Sequence, residues 1–173
     1  MDFKSSPDNT VKEYSYNANG NRSEFKLFKD GEVDPEIYLC YTYNNSNRLT
    51  AVASKGNVIA QYVYDANGRK TQQTTANGGV TTYTYNHAGL VTELVNKVGE
   101  NTVSSFSYQY SFDGKQKAKT DKDGITTHYS YDLIDQLVGE KQTVKGTDDE
   151  GEEIDVETAN TSYSYDWFGN RTE

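Results

Sequence analysis

One short pattern, Tyr-x-Tyr-(Asp/Asn)-x-x-Gly, returns through the whole chain and restricts the possible folds more than any other feature. It reads Tyr14-Ser15-Tyr16-Asn17-Ala18-Asn19-Gly20, then Tyr41-Thr42-Tyr43-Asn44-Asn45-Ser46-Asn47. Tyr62-Val63-Tyr64-Asp65-Ala66-Asn67-Gly68 and Tyr83-Thr84-Tyr85-Asn86-His87-Ala88-Gly89 follow. Looser copies are Tyr108-Gln109-Tyr110-Ser111-Phe112-Asp113-Gly114 and Tyr129-Ser130-Tyr131-Asp132-Leu133-Ile134-Asp135, and the last is Tyr163-Ser164-Tyr165-Asp166-Trp167-Phe168-Gly169. The first tyrosines of successive copies lie 27, 21, 21, 25, 21 and 34 residues apart, so the unit is 21 residues with insertions. Fourteen of the 15 tyrosines belong to these pairs. An internal period of this length is the signature of a repeat architecture.

Each position of the unit has a physical meaning. Tyrosines at i and i+2 of an extended chain share one face. Asp or Asn then opens a turn, because its short side chain can bond main-chain groups two residues on. Gly three residues later accepts positive φ, as does the Asn or Asp that replaces it in two copies. The pattern predicts a type I turn closed by a left-handed residue, a common hairpin connection. Segments such as Arg48–Ala53 and Lys70–Thr75 supply the return strand. Second turns follow at Lys55-Gly56, Asn77-Gly78-Gly79, Val98-Gly99 and Asp123-Gly124. The fold expected is all-β: tandem β-hairpin repeats in one long antiparallel meander over residues 1–173, with about thirteen strands. Open twisted sheets of that width curl or split, so a curved or spiralling sheet is expected, with a closed barrel or folded-over sandwich as the alternative. No stretch has helical periodicity.

Composition narrows the function. Hydrophobic residues make up only 34% of the chain, and Val, Leu, Ile and Phe together fall just under the level at which a charged sequence risks disorder. Tyrosine answers that, since its ring buries large area while its hydroxyl keeps a partner or water. The tyrosine pairs are therefore expected to be architectural. The net charge of −9, with scattered Lys and Arg, disfavours nucleic acid, which is bound through clustered cations. No apolar run approaches the length of a membrane helix, and Met1-Asp2-Phe3-Lys4-Ser5-Ser6 has no signal-peptide core. Cys40 is alone and reads as a small buried hydrophobe.

The motif Tyr62-Val63-Tyr64-Asp65-Ala66-Asn67-Gly68-Arg69-Lys70-Thr71 closely resembles the YD repeat of RHS proteins, a unit of the form Y-x-Y-D-x-x-G-R-L-T. Tyr163 to Thr172 and Tyr41 to Thr50 match nearly as well, while the copies from Tyr108 and Tyr129 depart after the tyrosine pair. The resemblance covers most of residues 14–173. It implies a segment of a large secreted or cell-surface protein, such as a bacterial toxin component or a teneurin-like protein, whose repeats wind into a hollow β-shell. The shell would enclose or display another polypeptide. Structural repeat residues on this view are Tyr14, Tyr16, Gly20, Tyr41, Tyr43, Tyr62, Tyr64, Asp65, Gly68, Tyr83, Tyr85, Gly89, Tyr108, Tyr110, Gly114, Tyr129, Tyr131, Asp132, Tyr163, Tyr165, Asp166 and Gly169. Partners would be other repeats of the same or parent chain, an enclosed polypeptide or a surface glycan. Many bacterial shells of the family end in an aspartyl self-cleavage segment with DPxG and DP elements. Asp34-Pro35 here is a lone dipeptide followed by Glu36, so the resemblance carries over the architecture and not the cleavage.

Other chemistry has weaker support. His87 and His128 lie in no metal-type or triad spacing, and Asp121-Lys122-Asp123-Gly124 opens like a calcium loop but lacks the later ligands. No catalytic residue, cofactor or metal site is expected. The run Asp148-Asp149-Glu150-Gly151-Glu152-Glu153-Ile154-Asp155 falls in the longest insertion, and residues 145–157 are expected to form a mobile acidic loop. The functional alternative is a carbohydrate-binding aromatic array, which would stack sugars on exposed rings. The comparable repeats of choline- and glucan-binding proteins rely on tryptophan cages, and this chain has only Trp167.

Overall fold

A computed structural model describes residues 2–5 and 10–172. All regular structure in it is β, and the chain divides into two units, residues 1–81 and 82–173. In the first unit lie β1 (Asp2–Ser5), β2 (Thr10–Tyr16), β3 (Arg22–Lys29), β4 (Ile37–Tyr43), β5 (Leu49–Ser54), β6 (Asn57–Tyr64) and β7 (Lys70–Thr75). Strand β8 (Gly79–Tyr85) holds residues of both units. The second unit continues with β9 (Val91–Val98), β10 (Asn101–Tyr110), β11 (Gln116–Asp121), β12 (Thr126–Tyr131), β13 (Leu137–Thr147) and β14 (Glu153–Ser162). Within the first unit β1 to β7 pair antiparallel in chain order, and within the second β9 to β14 do the same. This is the meander that alternating strand and turn chemistry favours, since short hairpin loops leave sequential strands as neighbours.

The turn after each tyrosine pair is built locally. Asn17 N donates to Asn21 O at 2.8 Å and Gly20 N to Asn17 O at 3.0 Å, while Asn17 Oδ1 accepts from Asn19 N and Asn21 N. The same side-chain caps occur at Asn44, Asp132 and Asp166, each taking two main-chain N–H groups. The fourth turn residue is left-handed: φ is 85° at Gly68, and Asn47 and Asp135 reach 57° and 69° in place of glycine. A left-handed residue adds one residue to its strand, so the ladder shifts register beside it. That shift falls just before the second tyrosine at Ser15/Tyr16, Thr42/Tyr43, Val63/Tyr64, Gln109/Tyr110 and Ser130/Tyr131.

Two features differ from expectation. Residues 145–157 are not a loop. β13 and β14 run through them with Lys145 opposite Asp155 and Thr147 opposite Glu153, and only a tight turn at Asp148–Gly151 separates the strands. Asp148 caps that turn as the Asx residues cap the others. The acids are accommodated because Lys145 pairs with Glu153 and Asp155, and Lys141 with Glu157. The second difference concerns the core. Among the described residues only Ala118, Thr127 and Thr143 are buried. The tyrosines of the pairs are half-buried, apart from the exposed Tyr16. Within each unit the described strands pair edge to edge in chain order, and nearly all of their side chains stay at least partly exposed.

Candidate functional site

The tyrosine rows form the most regular side-chain arrangement in the molecule. The residues between the paired tyrosines point to the other face, and Thr42, Val63, Thr84, Gln109 and Ser130 are exposed there. In five of the pairs the second tyrosine hydrogen-bonds through its hydroxyl to a main-chain carbonyl of the preceding repeat. Tyr43 donates to Arg22 O at 2.8 Å and Tyr64 to Leu49 O at 2.7 Å. In the second unit Tyr110 donates to Val91 O at 2.7 Å, Tyr131 to Gln116 O at 3.1 Å and Tyr165 to Leu137 O at 2.8 Å. Each acceptor sits two residues past the left-handed turn residue of its own repeat. The spacing of 15 to 28 residues between donor and acceptor changes with insertions, while the structural position of the acceptor does not.

The first tyrosines contribute their rings. Tyr14 packs on Phe25 with centroids 5.4 Å apart, and Phe106 lies 6.4 Å from Tyr108. Cations cover several ring faces: Arg22 lies 4.9 Å from the Tyr14 centroid, Lys70 5.7 Å from Tyr62 and Arg171 4.5 Å from Tyr163. Arg48 covers the second tyrosine Tyr64 at 5.6 Å. Such contacts are worth about 0.5–1 kcal/mol at exposed sites and more where the cation is desolvated. Burial raises the pKa of the Tyr110 and Tyr131 phenols, so both hydroxyls keep their protons as donors.

The remaining repeat residues are placed as follows. Tyr41 pairs across the ladder with Val52, and Tyr129 with Glu140. Tyr83 and Tyr85 lie on β8 and are half-buried. Gly20, Gly89, Gly114 and Gly169 have φ between 79° and 87°. Asp65 accepts from Arg69 N at 2.9 Å and forms a 2.7 Å ion pair with Arg69 Nε. Burial pushes its carboxyl upward, but the hydrogen bonds and charge of Arg69 outweigh that and hold it below its ordinary value. Asp132 and Asp166 cap their own turns.

Other polar groups take local roles. Tyr38 donates to Glu24 Oε1 at 2.6 Å, which lowers the Glu24 carboxyl and raises the phenol. Asp121 caps a turn by accepting from Asp123 N and Ile125 N at 3.0 Å. His128 Nε2 lies 3.3 Å from Thr143 Oγ1, and His87 sits exposed in a turn. Cys40 is half-buried. Among the described residues no group of three or more His, Cys, Asp or Glu is placed to hold a metal ion.

Two functional features are absent from the sequence-based expectations. The hydroxyl bonds to carbonyls leave no trace at the acceptor, because any residue offers that oxygen. The turns at Phe112, Leu133-Ile134 and Trp167-Phe168 carry fully or largely exposed apolar side chains. Their signal was present, since large apolar residues occupy turn positions where polar ones are the rule.

Comparisons with known proteins agree with this geometry. The family model described as RHS Repeat matches residues 64–101. The tRNA3(Ser)-specific nuclease WapA of Bacillus spizizenii (strain DSM 15029) is 30% identical over 161 residues, which is 92% of this chain and 6% of that protein. The tRNA(Glu)-specific nuclease WapA of Bacillus subtilis subsp. natto is 34% identical over 96 residues, covering 54% of this chain and 4% of its own. The chain thus spans only about one-twentieth of the length of these relatives. Among solved structures, TcdB2-TccC3 superposes with a TM-score of 0.74 at 17% identity, over 96% of this chain and 9% of that one. The Photorhabdus luminescens Tc holotoxin pore gives 0.71 at 17% identity, over 94% and 9%. Repeat sequence, turn geometry and fold converge: residues 64–101 match an RHS repeat, and the chain resembles RHS, or YD, repeat proteins along its length.

Proposed function

We propose that the chain is a wall segment of an RHS-type β-shell in a secreted or cell-surface protein, where it encloses or displays another polypeptide and performs no catalysis itself. The observation that carries this is the set of hydroxyl-to-carbonyl bonds from Tyr43, Tyr64, Tyr110, Tyr131 and Tyr165, which tie five repeats to the one before at a fixed position. A wall needs that property, because each unit must be held in register by its neighbour. The likeness to TcdB2-TccC3 supports the fold on which such a wall depends. The nuclease activity named for the WapA proteins is theirs, and the stretch they share with this chain is a small part of each.

Sugar stacking is the weaker reading, for a specific reason. A sugar needs an open aromatic face, and Arg22, Lys70, Arg48 and Arg171 occupy faces of Tyr14, Tyr62, Tyr64 and Tyr163. The test is limited proteolysis of the full-length parent carrying Tyr64→Ala and Tyr131→Ala, beside a glycan-array screen of the wild type. A wall segment predicts faster cleavage of the enclosed polypeptide and no specific glycan. Unchanged cleavage, together with glycan binding lost in the variants, would reverse the assignment.

A further inference from the structure

Three hairpin tips of the unit spanning residues 82–173 break the turn chemistry of the other repeats. The two outermost turn positions hold Phe112 and Asp113, then Leu133 and Ile134, then Trp167 and Phe168. The same positions elsewhere hold Ala18 and Asn19, Asn45 and Ser46, Ala66 and Asn67, and His87 and Ala88. Phe112, Leu133 and Trp167 are fully exposed, and Ile134 and Phe168 nearly so. Strands β10, β12 and β14 run in one direction, each separated from the next by one antiparallel strand. Their turns therefore project from one rim, about 10 Å apart.

The rim is preorganised. Lys115 Nζ lies 2.6 Å from Asp113 Oδ2 and 2.5 Å from Asp135 Oδ1, which links the first tip to the second. Gln136 lies against Gly169, which brings the second tip to the third. A cleft of about 300 Å³ opens between them, lined by Ile134, Gln136, Tyr165, Asp166 and Trp167. The Asp113 and Asp135 carboxylates remain about half-exposed beside the apolar side chains, in a chain of net charge −9. Aromatic residues clustered at a pocket with a charged margin are what protein-binding surfaces present.

We propose that this rim docks a cationic amphipathic helix of a partner polypeptide. Residues seven apart on a helix are about 10.5 Å apart along its axis, which matches the spacing of the tips, so apolar side chains one heptad apart reach successive tips. One of them enters the cleft between Ile134 and Trp167, and lysine or arginine beside them faces Asp113 and Asp135. The acidic margin disfavours an anionic lipid surface, and it equally disfavours a second copy of the same acidic rim. The surface lies at the turns rather than on a sheet face, so it stands apart from the wall function proposed above.

Trp167 is the only tryptophan of the chain and lies on the third tip, so its emission reports occupancy directly. The probe is a synthetic helical leucine–lysine peptide, with a leucine–glutamate peptide of equal length and neutral phosphatidylcholine vesicles as comparisons. The expected result is a saturable blue shift with the lysine peptide. Affinity should be at least tenfold weaker for the glutamate peptide, for Leu133→Ser/Ile134→Ser, whose melting temperature should stay near that of the wild type, and for Asp113→Asn/Asp135→Asn, measured well below its own melting temperature. Equal response to both peptides, or none, overturns the proposal. A larger shift on vesicles would assign the rim to a lipid surface instead. Concentration-dependent self-association in sedimentation, lost in Leu133→Ser/Ile134→Ser, would assign it to a second copy.

Discussion

The Tyr64 hydroxyl donates to the carbonyl of Leu49, and Leu49 is the residue that pairs across the ladder with Tyr43, the second tyrosine of the preceding repeat. The relationship recurs: Tyr131 donates to Gln116, the ladder partner of Tyr110, and Tyr165 to Leu137, the ladder partner of Tyr131. Removing the hydroxyl alone, Tyr64→Phe, should cost about 1 kcal/mol, the net worth of a typical hydrogen bond. Tyr64→Ala should cost about 2–3 kcal/mol, below the range for fully buried aromatics because the ring is half-exposed. Tyr62→Phe keeps its ring under Lys70 and should be near neutral. Urea unfolding of the three variants checks the order, and equal losses for Tyr64→Phe and Tyr62→Phe would contradict it.

Two glycines of one backbone type make a controlled pair. Gly20 and Gly68 have φ of 79° and 85°, but a Cβ at Gly20 meets nothing within 4 Å, whereas one at Gly68 comes within 2.6 Å of Arg48 Nη1. Both alanine substitutions carry the left-handed penalty of about 1 kcal/mol. Gly68→Ala should lose more, because Arg48 must leave the Tyr64 ring. Equal midpoints for the two variants would show that Arg48 adjusts without loss.

Lys55 adopts φ 47° beside Gly56 at 85°, in the two-residue turn joining β5 to β6. A turn of that kind favours Asn-Gly over Lys-Gly. Lys55→Asn should therefore raise stability by about 0.5–1 kcal/mol. A lower melting temperature would mean that the lysine side chain contributes more than its backbone strain costs.

Acid should weaken the fold. Lys115 and Ser111 hydrogen-bond the Asp113 carboxylate and hold its pKa at about 2, below the ordinary 3.8. Asp166 and Glu157 are lowered as well, by Asn170 and Lys141 respectively. Unfolded chains take up these protons first, so this stability is complete above the ordinary carboxylate range and is lost as pH falls toward about 2. Denaturation midpoints at pH 7, 4 and 2.5 should fall in that order, with a shallower fall for Asp113→Asn. A midpoint unchanged at pH 2.5 would remove these carboxylates from the stability of the fold.

The turns were legible in the sequence because their chemistry is local. Asp or Asn caps main-chain N–H groups within four residues, and the residue three after it needs only a left-handed conformation. Residues 145–157 were not, because like charges in a row read as a solvated loop until a register supplies partners. Lys145 and Lys141 lie on the opposite strand from Glu153, Asp155 and Glu157, so the pairing is invisible along the chain. The alternation Glu153-Ile154-Asp155-Val156-Glu157 was nevertheless a strand pattern of period two. The depth of the tyrosines was also hidden. Alternation shows which residues share a face, and not whether a second layer covers that face.

The scarcity of buried side chains among the described residues has a thermal consequence. Heat capacity rises on unfolding chiefly because apolar surface meets water, and here much of that surface already does. The heat-capacity increment should fall below the roughly 12–15 cal/mol/K per residue of ordinary domains, and the slope against urea should be shallow for the chain length. A smaller increment flattens the stability curve, so the ladders should keep a more constant margin between cold and warm surroundings than a domain with a deep core.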